Sequence, residues 1–115
     1  MGREAMIRAD MEAVGTYNVI FEPTIRQLAK AERELAKAEK TWRSNGGQMV
    51  AELTNKTGGK YTAKDPHYAV VDQLRKDILA LRNQLGLTPT GRVRLAQKRA
   101  EKAADVEPDE DLYGD

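Results

Sequence analysis

The stretch from Asp65 to Leu95 constrains the fold more than any other, because it carries a helix start, an apolar stripe, a helix stop and a second helix start with almost nothing between them. An aspartate carboxylate accepts hydrogen bonds from the open N–H groups of a first helical turn. Proline suits the first helical position, since its missing N–H would be unpaired there anyway, so Asp65-Pro66 opens a helix. Val71, Leu74, Ile78, Leu81 and Leu85 follow at alternating steps of three and four, which is one face of that helix. Gly86 stands where a left-handed stop is needed, Leu87 is placed to fold back as its hydrophobic partner, and Thr88-Pro89 opens the next helix by the same cap logic.

A stripe of this kind needs a partner, and one precedes it. Tyr17, Phe21, Thr24, Leu28, Ala31, Leu35, Ala38 and Trp42 recur in steps of four and three, predicting a helix of about 40 Å over residues 17–44 at ~1.5 Å per residue. Pro23 interrupts it and predicts a kink or a helix restart. Glu22/Arg26 and Glu39/Arg43 are spaced as ion pairs on the solvated face, while Ala29 and Ala36 form a small-residue strip that either admits a second helix or simply favours helix. Ser44-Asn45-Gly46-Gly47 stops the helix, and the short runs Gln48 to Leu53 and Lys60 to Ala63 flank a turn-rich centre, as a small β-hairpin or an extended loop would. A lone hairpin is marginal in water and must lean on the helices or on a neighbouring subunit. At the start, Met6, Ile7, Met11 and Val14 give a weak apolar face, expected as a short helix ending at Gly15, frayed or docked rather than part of the core.

The expected class is therefore all-α: a long antiparallel helical hairpin over residues 17–87, with the β excursion between its helices, and a shorter basic C-terminal helix over 88–104. It is preceded by a weakly structured or short-helical segment, 1–16, and followed by an acidic, disordered tail, 105–115. The chain of 115 residues suits one domain, yet with 5% aromatic and 32% charged residues its core would be modest, so the helices are expected to finish it against another copy. Leu28, Leu35, Trp42, Val71, Leu74, Ile78, Leu81 and Leu85 are assigned to hairpin and subunit packing. No apolar run approaches the roughly 20 residues that span a bilayer, and there are no cysteines, which together suggest a soluble intracellular protein.

Chemistry for catalysis is sparse. His67, the single histidine, sits at a helix start, where a structural role outweighs a ligand role. Thr57-Gly58-Gly59-Lys60-Tyr61 lacks the earlier glycine and the following hydroxyl of a phosphate loop, and Glu32 and Glu34 point in different directions on a helix. No enzyme activity, metal or cofactor is expected. What remains is basic: Arg92, Arg94, Lys98, Arg99 and Lys102 on the last helix, and Lys56 and Lys60 on the central loop, could contact phosphates. The alternative for the helix is a solvated face balancing the acidic tail, since the net charge is only +1. In the tail, Leu112 and Tyr113 among acids suit either a docking motif for a basic partner or a solubilising extension.

The order of a Tyr-led helix ending in Trp42-Arg43-Ser44-Asn45-Gly46, a glycine-containing hairpin, an Asp65-Pro66 helix start, and Leu85-Gly86-Leu87-Thr88-Pro89-Thr90-Gly91-Arg92 resembles the small terminase subunits of tailed phages, nearest the lambdoid siphophage-like group, over roughly residues 10–95. The resemblance implies a non-enzymatic, ring-forming regulator of viral genome packaging in the host cytoplasm, one that engages double-stranded viral DNA and recruits and stimulates the large terminase subunit, an ATPase and nuclease. The chain departs from many such proteins in lacking a recognisable N-terminal helix-turn-helix, so any DNA contact is expected to be sequence-tolerant. A coiled-coil adaptor or scaffold that never touches nucleic acid is the alternative from the residues alone. A repressor-like dimer would need residues 88–103 as a recognition helix and lacks the first helix that such a motif requires.

Overall fold

The computed structural model describes residues 2–106; Asp105 and Val106, expected in the acidic tail, end the last helix instead, and the rest of that tail, including Leu112 and Tyr113, falls outside the described residues. The described chain runs α1 (Arg3–Val14), a 3-10 turn (Val19–Phe21), α2 (Glu22–Ser44), β1 (Val50–Thr54), β2 (Lys60–Lys64), α3 (Pro66–Gln84) and α4 (Pro89–Val106). Contacts divide it into two units, residues 2–25 with 82–106, and residues 26–81.

In the first unit, α1 is a core element, contrary to the expectation of a frayed or merely docked segment. Ile7 and Met11 are buried, as are Ile25 and Leu85 in the same unit. The apolar face of α1 is weak because only these two positions, one turn apart, need covering; the outward Met6 and Val14 stay exposed. The helix stops at Gly15, whose φ of 78° is left-handed, with Gly15 N–H donating to the Glu12 carbonyl and Thr16 N–H to that of Met11. The same pair of bonds closes α2 (Gly46 to Arg43, Gly47 to Trp42) and α3 (Gly86 to Asn83, Leu87 to Arg82).

Pro23 restarts a helix rather than kinking one. Asn18 accepts from Ile20 N–H at 3.0 Å to set the 3-10 turn, and α2 begins at Glu22, so proline falls in a first turn that lacks an N–H partner anyway. Tyr17 and Phe21 therefore precede α2, which is 23 residues and about 34 Å long rather than 40. The restart also moves the phase of the seam: Ile25, not Thr24, is fully buried. Glu22 faces α1 instead of forming a surface pair along its own helix. Its carboxylate takes Arg8 Nε at 2.9 Å and Nη2 at 2.7 Å, and the Tyr17 hydroxyl at 2.7 Å. The bond to Glu22 holds the Tyr17 phenol above its usual range and keeps Arg8 charged.

The run Leu85 to Arg92 is a helix-to-helix corner. Leu85 is buried, Gly86 adopts φ 71°, and the Thr88 hydroxyl accepts from Gly91 N–H at 3.0 Å while bonding the Asn83 side chain. Pro89 is the first residue of α4, and Gly91 lies so close to the Asn83 carbonyl that no β-carbon fits between them.

In the second unit, α2 and α3 lie antiparallel. Trp42 packs on Tyr68 with ring centroids 5.3 Å apart, while Arg75 donates to Glu39 at 2.9 Å, so numbers rise on one helix as they fall on the other. Glu39 thus bridges helices instead of pairing along its own. Leu28, Ala29, Ala31, Val71 and Leu81 are buried in this unit, and Leu35, Trp42, Leu74 and Ile78 are half-buried. The excursion between the helices is a β-hairpin, paired antiparallel with Ala51 opposite Ala63 and Leu53 opposite Tyr61. Its base is stapled. Trp42 Nε1 donates to the Gln48 carbonyl at 2.8 Å, the Gln48 amide to Asp65 Oδ2 at 3.2 Å, and Asp65 Oδ1 caps α3 by accepting from His67 and Tyr68 N–H at 2.9 and 3.1 Å.

Burial pushes the Asp65 carboxyl up, but the N–H donors of Tyr68 and His67 and the Gln48 amide outweigh it and hold the group below the usual carboxylate range. Hydrogen bonds from Lys64 and Lys76 lower Asp72 likewise. Groups lowered in the folded state contribute stability above the ordinary carboxylate range and lose it as pH falls through their depressed values. Acid titration followed by circular dichroism should therefore show Asp65→Asn less stable than the parent at pH 7, with the gap closing at low pH.

Candidate nucleic-acid interface

The two basic groups singled out in the sequence lie in different units. Lys56 and Lys60 flank the hairpin tip in the second unit, and the arginines and lysines of α4 belong to the first. The tip is built by Asn55, whose side-chain oxygen accepts from Thr57 N–H, Thr57 hydroxyl and Gly59 N–H at 3.1, 2.8 and 2.8 Å. This side chain substitutes for backbone partners in the turn and leaves both lysines exposed on a fixed loop. Lys64, four residues beyond Lys60, is committed to Asp72 at 2.5 Å and is not part of the patch.

On α4, Arg92, Arg94, Lys98, Arg99 and Lys102 are all exposed. They do not form one face. Steps of four place Arg94, Lys98 and Lys102 in a single stripe, while Arg92 and Arg99, seven apart, lie elsewhere on the helix. Arg99 has a structural bond as well, its Nη2 donating to the Gly15 carbonyl at 3.3 Å, which satisfies an acceptor at the end of α1. From Ala96 to Ala104 every side chain of α4 is exposed.

One surface escaped the sequence reading. Between α2 and α3 runs a groove of about 590 Å³ whose floor is Ala38, Ala69, Val70 and Leu74 and whose rim is Glu34, Lys37, Gln73 and Asp77. Val70 is 52% exposed. The signal was present as an apolar residue beside, not on, the Val71 stripe. In the first unit Val19 and Ile20 are exposed by 72% and 74% on the 3-10 turn, again apolar positions off the seam that a continuous helix predicts.

The described residues hold no group of three or more histidines, aspartates or glutamates placed to grip a metal ion, and none of their helices is long and apolar enough to cross a membrane. His67 uses its N–H on the Asp65 cap, as a helix-start residue does. Searches of curated proteins and of solved structures match nothing. A family model described as "Phage terminase, small subunit" matches residues 5–102, taking in most of α1, both basic groups and the Leu85 to Arg92 corner. With that match covering most of its length, the chain belongs to the phage terminase small-subunit family.

Proposed function

We propose that this chain is the non-enzymatic regulatory subunit of a viral genome-packaging machine: it closes into a ring of identical copies, engages double-stranded DNA, and recruits and stimulates a large terminase subunit in the host cytoplasm. Family membership supports the packaging role. The observation that carries the self-assembly reading is the α2/α3 groove. Its floor is apolar and uncovered, and its rim mixes Glu34 and Asp77 with Lys37, a charge pattern that suits another protein surface and repels a phosphate backbone. A head-to-tail contact through such a groove gives a ring when its rotation closes.

DNA contact is assigned to Lys56, Lys60, Arg92, Arg94, Lys98, Arg99 and Lys102. These are weak in one copy, but a ring repeats them around a rim, where multiplicity raises affinity. Packing within and between subunits is assigned to Leu28, Leu35, Trp42, Val71, Leu74, Ile78, Leu81 and Leu85.

Native mass spectrometry and a DNA titration test the two halves together. The protein should fly as a ring of many copies, and Val70→Glu should break it into smaller species that keep their helical spectrum. In fluorescence anisotropy with a duplex of arbitrary sequence, changing Arg94, Lys98 and Lys102 to Gln should lower the slope of log affinity against log salt by about 2.7 for each α4 engaged. A monomer at micromolar concentration overturns the ring, and binding indifferent to these charges overturns the DNA assignment.

A further inference from the structure

The fold draws acids away from the outer face of α2 and leaves its cations there. Of the four glutamates on this helix, Glu22 accepts from Arg8 and Tyr17, Glu39 accepts from Arg75 of α3, and Glu32 also has a partner. Arg26, spaced to pair with Glu22 along the helix, is left exposed. Lys30, Arg33, Lys37 and Lys40 are exposed with it, and none of the five side chains has a hydrogen-bond or ion-pair partner among the described residues.

These cations form one row. Steps of four and three place them within about 80° of one another around the helix, on the side opposite Leu28, Leu35 and Trp42. The row runs about 21 Å along the axis, all of it in the second unit. No acid stands within it: Glu34, the remaining glutamate, lies to one side on the rim of the α2/α3 groove and makes no ion pair with the row. Like charges three and four apart on a helix repel, so this face is kept at a cost to the helix itself. A face that only met water would do better with mixed signs, which pair along the helix.

We infer that the Arg26–Lys30–Arg33–Lys37–Lys40 row is a further DNA-binding surface, one that lies against the phosphates of a duplex without reading its bases. It rests on the DNA-binding reading given above and adds a surface apart from the hairpin lysines and α4. A duplex carries one negative charge per ~1.7 Å of axis, about twelve over the length of the row, so cations at these steps meet phosphates in any register. Contacts of that kind position a protein and carry no sequence information. An acidic protein surface fits less well. Lysine is depleted in protein interfaces, which centre on aromatic and apolar anchors, and this row holds three lysines and no apolar side chain.

Two measurements on the full chain test the assignment. Lysine acetylation at low salt, read by mass spectrometry, should slow about three-fold or more at Lys30, Lys37 and Lys40 when a duplex of arbitrary sequence is added, and stay unchanged at Lys76, an exposed lysine of α3. Unchanged rates along the row overturn the proposal. In fluorescence anisotropy, the combined change Arg26→Gln, Lys30→Gln, Arg33→Gln and Lys40→Gln should lower the slope of log affinity against log salt by about 3.6 for each α2 engaged. Lys37 is kept because it also rims the groove, and Gln is a good helix former, so the variant should retain the parent's helical spectrum and native mass. A slope equal to the parent's overturns the row and leaves α4 in place. The same equal slope with binding to poly-glutamate lost assigns the row to an acidic protein surface instead. No duplex binding by the parent overturns the DNA reading as a whole, the row included.

Discussion

Met11→Ala should weaken the folded chain by about 2–5 kcal/mol, the cost of emptying a fully buried methionine site. Met11 has no exposed surface, and Ile7, one turn away on α1, is nearly as covered. The loss combines the transfer free energy of the missing atoms with that of the cavity they leave, and α1 has no other large buried side chain to hold it. Urea denaturation at fixed protein concentration measures it, since any self-association contributes to the midpoint. A change below about 1 kcal/mol would mean that α1 does not contribute to the core.

Gly86→Ala should cost about 2–4 kcal/mol, from left-handed strain together with overpacking. The position has φ 71°, and an added methyl would meet Thr16 Cγ2 at 2.7 Å and Leu95 Cδ1 at 2.8 Å. One substitution therefore strains the stop of α3 and the seats of the segment after α1 and of α4. Asn, which tolerates left-handed backbone better than Ala, should recover little, because the steric conflict remains. The same urea titration reads this, with Gly15→Ala as the control, since its φ of 78° adds the strain without any neighbour within 4 Å. Equal losses at the two glycines would remove the packing part of the argument.

These two positions also mark what was legible in the sequence. Gly86, Asp65-Pro66 and Thr88-Pro89 encode their structure within a few residues, because a cap or a left-handed stop is satisfied by its own neighbours. The hairpin was legible for the same reason, from its turn-rich centre. Met11 was not, since a helix that buries two side chains gives almost no periodic signal. Nor was the start of α2: reading Tyr17 to Trp42 as one seam passed over the Asn18-capped turn, and with it the true phase that buries Ile25. Glu22 and Glu39 were placed correctly on a helix and paired wrongly, because spacing along a helix says nothing of the arginine that arrives from another element. The charges of the last helix are plain in the sequence, but the anchoring of Arg99 on the Gly15 carbonyl depends on which acceptors the fold leaves open.

The uncovered half of α4 has a consequence for affinity. Residues 96–104 are exposed among the described residues, held to the rest only by the bond from Arg99 to Gly15, so the helix there is sustained by composition, with Ala96, Ala100, Ala103 and Ala104 as the strongest helix formers available. Fixing a residue's backbone costs about 1–2 kcal/mol in conformational entropy. Whatever settles on this rod meets cations already at fixed intervals, and so avoids most of the ordering cost that a basic coil would levy on its ligand.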